Sequence, residues 1–114
     1  GGLRPSGGSV QLSCRGSGFH FGHFGIWWYR QGPSGGLEWV SWISHSSLVI
    51  HIGPGVEGRA AVSRDNSQSE TYLSLHLIHL GDSARYFCAV FTQRQEIQLS
   101  FNTNYPPGSR TVMM

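Results

Sequence analysis

Apolar and polar residues alternate along Val10-Gln11-Leu12-Ser13-Cys14, which places one set on each side of an extended chain, the pattern of a half-buried antiparallel strand. Two aromatic-rich runs, Trp28 to Gln31 and Leu37 to Ile43, flank Gly32-Pro33-Ser34-Gly35-Gly36, whose turn chemistry predicts a hairpin. Leu48 to Ile52 is a β-branched run closed by Gly53-Pro54-Gly55. Ala60 to Arg64 and Thr71 to Leu77 surround the polar cluster Asp65-Asn66-Ser67-Gln68-Ser69 and predict a second hairpin, with Leu73, Leu75 and Leu77 facing away from Ser74 and His76. Tyr86 to Phe91 is apolar and aromatic, 93–104 is a longer mixed stretch, and Arg110 to Met114 reads as a final strand after Pro106-Pro107-Gly108. No apolar set recurs at helical spacing between a cap and a stop. Short strands with turns at roughly 8 to 12 residues predict an all-β sandwich or barrel.

Composition narrows the class. The chain has 114 residues, one domain's worth. Charged residues are 12% of it, about half the usual quarter, so self-repulsion does not keep it unfolded. All eight cationic side chains are arginines scattered singly, where a nucleic-acid footprint requires a clustered stripe. No apolar run approaches the roughly 18 residues of a helical membrane span. The expectation is a soluble chain with neither nucleic acid nor membrane as partner. Cys14 and Cys88 lie far apart, without the close spacing of zinc or redox motifs. A long-range disulfide is the natural reading, and it implies a secreted, extracellular setting. Gly1-Gly2-Leu3 opens without a leader's pattern, so a mature product or a fragment is expected.

Cys14, then Trp28, then distant Cys88, with Tyr86 two residues before the second cysteine and Asp82 four before Tyr86, is the arrangement of immunoglobulin domains. Gly18-Phe19-His20-Phe21, Trp28-Tyr29-Arg30-Gln31, Gly36-Leu37-Glu38-Trp39-Val40-Ser41, Ser63-Arg64-Asp65-Asn66-Ser67 and Asp82-Ser83-Ala84-Arg85-Tyr86-Phe87-Cys88-Ala89 follow in order. Together they resemble an antibody heavy-chain variable domain. The resemblance implies a V-type two-sheet sandwich spanning 1–114 as one domain, its family's first strand falling before Gly1 and so truncated. It implies that Trp28 fills the space beside the Cys14–Cys88 bridge with its indole N–H partnered, that Tyr86 pins a corner, and that Arg59 pairs with Asp82 at the base.

Three binding loops also follow from the resemblance: about His20 to Trp27, Trp42 to Ile52, and Phe91 to Asn104. Within them the candidate contacts with an unknown antigen are His20, His23, Phe24, Trp42, Ser44, His45, Ser46, Ser47, His51, Phe91, Arg94, Glu96, Asn102 and Asn104. Rigid aromatics and adaptable hydrogen-bonding side chains of this kind suit a paratope. Tyr29, Gln31, Leu37, Trp39 and Phe87 match the face that meets a light-chain variable domain, with Gln31 supplying a hydrogen bond across it.

Some positions depart from the family pattern. Ala60 stands where a buried phenylalanine is usual, Thr71 where a leucine is usual, and Gly53-Pro54-Gly55 replaces Ala, Asp and Ser. A core Phe-to-Ala truncation costs about 3 to 5 kcal/mol. With no lysine to blunt a sheet edge, the segments Leu48 to Ile52, Thr71 to Leu80, Tyr86 to Phe91 and Ile97 to Phe101 are steric-zipper candidates. They support an alternative reading, a cross-β amyloid fibril of the same chain that has lost antigen binding. Enzyme chemistry finds no footing: no nucleophile elbow, phosphate loop or dinucleotide fingerprint occurs. The six histidines lack convergent ligand spacing, so no metal or cofactor is expected.

Overall fold

Ile26, Trp28 and Arg30 point inward and Trp27, Tyr29 and Gln31 outward along a single strand, and that alternation organises the whole sandwich. A computed structural model describes residues 7–16, 21–90 and the backbone of 103–105. Among the described residues the strands are β1 (Val10–Arg15), β2 (Ile26–Gln31), β3 (Leu37–Ile43), β4 (Ile50–Ile52), β5 (Ala60–Asp65), β6 (Glu70–Leu75), β7 (Ala84–Ala89) and β8 (Thr103–Tyr105). They form a three-stranded sheet, β1-β6-β5, and a five-stranded sheet, β4-β3-β2-β7-β8, with every pairing antiparallel. This is the two-sheet β-sandwich expected from the alternation. Single 3-10 turns at Phe21–His23, Pro54–Val56 and Leu80–Asp82 round the connections.

The inner faces close on one core. Val10, Leu12 and Cys14 from β1 meet Trp28 and Val40, with Leu73 and Leu75 from β6, all at most 6% exposed. The Cys14–Cys88 disulfide joins the two sheets across 6.6 Å between Cα atoms. On the chain-entropy model a bridge between residues 74 apart in sequence stabilises the fold by about 4 to 5 kcal/mol. Trp28 and Cys88 are register partners on β2 and β7, and neither has exposed surface. Trp28 thus fills its expected place, but its indole N–H has no acceptor among the described residues. The expectation of a partnered N–H is corrected: the surroundings of this ring are the apolar inner faces, and the opposing Ser41 hydroxyl is likewise unpaired.

Elsewhere the structure revises boundaries. β6 stops at Leu75, because Leu77 has φ +50° and turns out to 63% exposure, while Ile78 takes the buried position. Arg59 Nη1 donates to the carbonyls of His76 and Leu77 and holds that bend. Only Ile50–Ile52 of the expected Leu48 run is strand, with Leu48 and Val49 in the preceding turn. β7 covers Ala84–Ala89, not Tyr86 to Phe91. Thr103–Tyr105 pairs with β7, so Asn104 lies in a strand opposite Arg85 and not in a binding loop. The strand expected at Arg110 to Met114 falls outside the described residues.

Two departures acquire physical reasons. Thr71 is fully buried, yet its hydroxyl donates to the Ser63 carbonyl at 2.8 Å, which removes the cost of an orphaned hydroxyl. At Gly53 an added Cβ would lie 2.6 Å from the Trp39 carbonyl oxygen, and at Gly55 it would collide with the Glu38 carboxylate. At Gly53 the neighbour is backbone and a side chain has no room, whereas at Gly55 the Glu38 carboxylate would have to move aside.

Candidate functional site

The base of the sandwich is held by charge. Asp82 caps the 3-10 turn with no exposed surface, and its carboxylate accepts from Arg59 at 2.8 and 3.0 Å, from Arg30 at 3.0 Å and from the His79 backbone N–H at 3.0 Å. Burial alone would raise the Asp82 pKa, but Arg59, the His79 N–H and Arg30 outweigh it and hold the carboxyl at about 2. Arg30 also donates to Glu38 at 2.7 Å and to the Tyr86 hydroxyl at 3.2 Å. Tyr86 in turn donates to the Asp82 carbonyl at 2.6 Å, the expected corner. Burial pushes the Tyr86 phenol up to about 12, against the opposing pull of Arg30. The Arg59–Asp82 pair was legible in sequence. Arg30 and Glu38 were not assigned to it, although each stands one residue from an outward neighbour, Gln31 or Trp39, and so on the opposite side of the strand. This network has every charge matched and is scaffold.

The outward face of the five-stranded sheet has a different character. Tyr29 lies opposite Trp39 on β3 and Phe87 on β7, and Gln31 lies opposite Leu37 and Arg85. The five residues expected at a domain interface therefore share one face. Leu37 is 65% exposed. Gln31 uses its amide to donate to its own Gly35 carbonyl at 2.8 Å. Trp27 and Trp42 extend the same face, with ring centroids 6.0 Å apart, and Trp27 lies nearly parallel to Tyr29. His51 stacks on Trp42 at 5.7 Å. Trp27, Trp39, Trp42 and His51 line an open cavity of about 420 Å³ with apolar walls.

Trp42 and His51 were expected in a loop, and the structure places both in strands on this sheet face. Trp27, which sequence reasoning left as the edge of a loop, belongs with them. The missed signal is a bulge. The register between β2 and β3 shifts at Trp28/Tyr29, Val40 and Ser41 are both buried, and so Trp39 and Trp42 emerge on the same side although three residues apart.

At the loop end, His45, Ser46 and Ser47 are exposed, with Ser47 at φ +69° in a turn. His23 is exposed beside Phe24, which packs partly against the core. Ser44 differs from its expected role as a surface contact. It is 8% exposed, its hydroxyl accepts from the Val49 N–H, and its carbonyl accepts from Arg64. Arg64 ties this end together by also donating to the Phe21 carbonyl and the Asn66 side chain, with its guanidinium 4.9 Å from the Phe21 ring centroid. Burial lowers its pKa to about 10. His20, Phe91, Arg94, Glu96 and Asn102 lie outside the described residues, as does the Asn104 side chain.

Among the described residues no helix is long and apolar enough to cross a membrane, and no group of three or more His, Cys, Asp or Glu is placed to hold a metal ion. The family model for the immunoglobulin V-set domain matches residues 3–105.

Proposed function

The chain belongs to the immunoglobulin V-set family, and from that premise we propose that it is an antibody heavy-chain variable domain that binds antigen at its loop end while paired with a light-chain variable domain. The observation that carries the pairing is the outward aromatic face of the five-stranded sheet, where Trp27, Trp39 and Trp42 line an apolar cavity and Tyr29 and Phe87 share the face. An apolar surface of this kind calls for a partner. Exposed His23, His45, Ser46 and Ser47 supply part of the antigen-contacting end, held in place by Arg64. The role is binding, not catalysis, and needs no cofactor. The disulfide suits a secreted, extracellular protein.

Titration of the purified chain with a light-chain variable domain, followed by sedimentation, tests this reading. It predicts a one-to-one complex that Trp39→Ala weakens by at least about tenfold, since aromatic anchors dominate interface energy. No association at about 100 μM, a concentration that reveals any complex with Kd in the micromolar range, would contradict it. A second reading, self-assembly into amyloid fibrils with loss of antigen binding, is favoured by the exposed run Leu48, Val49 and Ile50. Fibre diffraction at about 4.7 to 4.8 Å from the aged chain decides for it.

A further inference from the structure

Strand β4 is an edge. It pairs with β3 alone, and no described strand takes its other side. The direction of its backbone groups follows from the bonds it makes. The Val49 carbonyl accepts from Ser44 N–H at 2.9 Å, and the Gly53 N–H donates to the Val40 carbonyl at 2.7 Å. Residues 49, 51 and 53 therefore address β3, and the alternation of an antiparallel ladder turns the N–H and C=O groups of Ile50 and Ile52 away from it. None of those outward groups bonds within the described residues.

Natural edges are blunted by short length, lysine, proline, a bulge or a cover. Ile50–Ile52 is short, at three residues, but it carries neither lysine nor proline: the chain has no lysine, and Pro54 comes after the strand. Its side chains add to the exposure, with Leu48 at 87% and Val49 and Ile50 at 45% each. Half of the exposed large hydrophobics among the described residues are thus consecutive at this one edge.

We propose that β4 pairs with β4 of a second copy, antiparallel about His51, joining two five-stranded sheets edge to edge. A second copy is the fitting occupant because an antiparallel edge is complementary to itself under a two-fold axis. With His51 on the axis, Ile50 of one copy lies opposite Ile52 of the other as a hydrogen-bonded pair, and every outward N–H and C=O of both residues is satisfied. No other register about this strand satisfies them all. No carboxylate or arginine lies on the strand to oppose itself across the axis. The aromatic sheet face that carries the antibody reading is left open by this pairing, so the two associations are separable.

Sedimentation of the disulfide-bonded chain over a concentration series, with hydrogen exchange on the same samples, tests the pairing. The wild-type chain gives a concentration-dependent dimer in which the amides of Ile50 and Ile52 slow their exchange. Ile50→Pro removes an N–H that β3 does not use, and Ile50→Lys adds an edge charge without touching the backbone. Each variant weakens the dimer by at least about tenfold, Ile50→Pro because a lost edge bond leaves its acceptor unsatisfied and Ile50→Lys because the charge must be brought against the partner edge. Trp39→Ala leaves the dimer intact. A wild-type chain that stays monomeric throughout, a dimer unaffected by Ile50→Lys, or a dimer abolished by Trp39→Ala would each overturn the proposal, the last by assigning association to the sheet face.

Discussion

Trp27 and Trp28 are neighbours in one strand and have opposite fates. Trp28 lies opposite Cys88 with no exposed surface, enclosed by the inner faces of both sheets. Trp27 stands on the other side of the same sheet, against Tyr29 and Trp42, at the wall of an open cavity. The period of two in a strand separates them, so that one indole is enclosed by the fold and the other faces the open cavity. The same division runs through the sheet. Inward Arg30 and Tyr86 meet Asp82 in a matched network, whereas outward Trp39 and Trp42 line the open cavity, Trp42 stacked on His51, and outward Phe87 lies beneath Arg85. Inner residues hold the domain together. Outer ones define what it can join.

If that division is real, perturbing the inside costs stability and perturbing the outside does not. The largest effect is expected from replacing Cys14 and Cys88 together by alanine, with a loss of about 4 to 5 kcal/mol measured by urea denaturation. Next is Asp82→Ala, which strips the buried partner from Arg30 and Arg59 and costs about 3 to 4 kcal/mol in the same assay. A loss within about 1 kcal/mol would show that water reaches the base and that the network is not enclosed.

Acid sharpens the contrast without a mutation. The Asp82 carboxyl sits at about 2 in the fold against an ordinary 3.8, so the folded state favours its ionised form. That contribution is fully present above about pH 4 and disappears as pH falls through about 2, a loss of about 2 kcal/mol that circular dichroism melts in Asp82→Asn should no longer show. The smallest effect is expected outside: Trp42→Ala should change folding stability by about 1 kcal/mol or less, because its contacts on Trp27 and His51 are half open to solvent.

Much of the inside was legible in the sequence. Alternation at Val10, Leu12 and Cys14, and the spacing of Cys14, Trp28 and Cys88, contain the core because a strand's period and a disulfide's reach are local or pairwise rules. The Arg59–Asp82 pair was legible as part of a recognised pattern. The outside was harder to read. The bulge at Val40 brings Trp39 and Trp42 to one face, and strict alternation along Leu37 to Ile43 would have separated them. Leu77 misled for a related reason, since a positive φ ended the alternation and passed the core position to Ile78. Ser44 looked like a loop contact because serine is common in such loops; its burial depends on Arg64, twenty residues away. Long-range partners of this kind leave no mark in local pattern.

The division between the two sheet faces can be read from all four tryptophans at once. Oxidative footprinting with mass spectrometry reports the reactivity of Trp27, Trp28, Trp39 and Trp42 in the chain alone and in its mixture with a light-chain variable domain. Trp28 should be unreactive in both samples, while Trp27, Trp39 and Trp42 should react in the chain alone and become protected in the mixture. Reactive Trp28 in the folded chain, or outer tryptophans oxidised equally in both samples, would contradict the account.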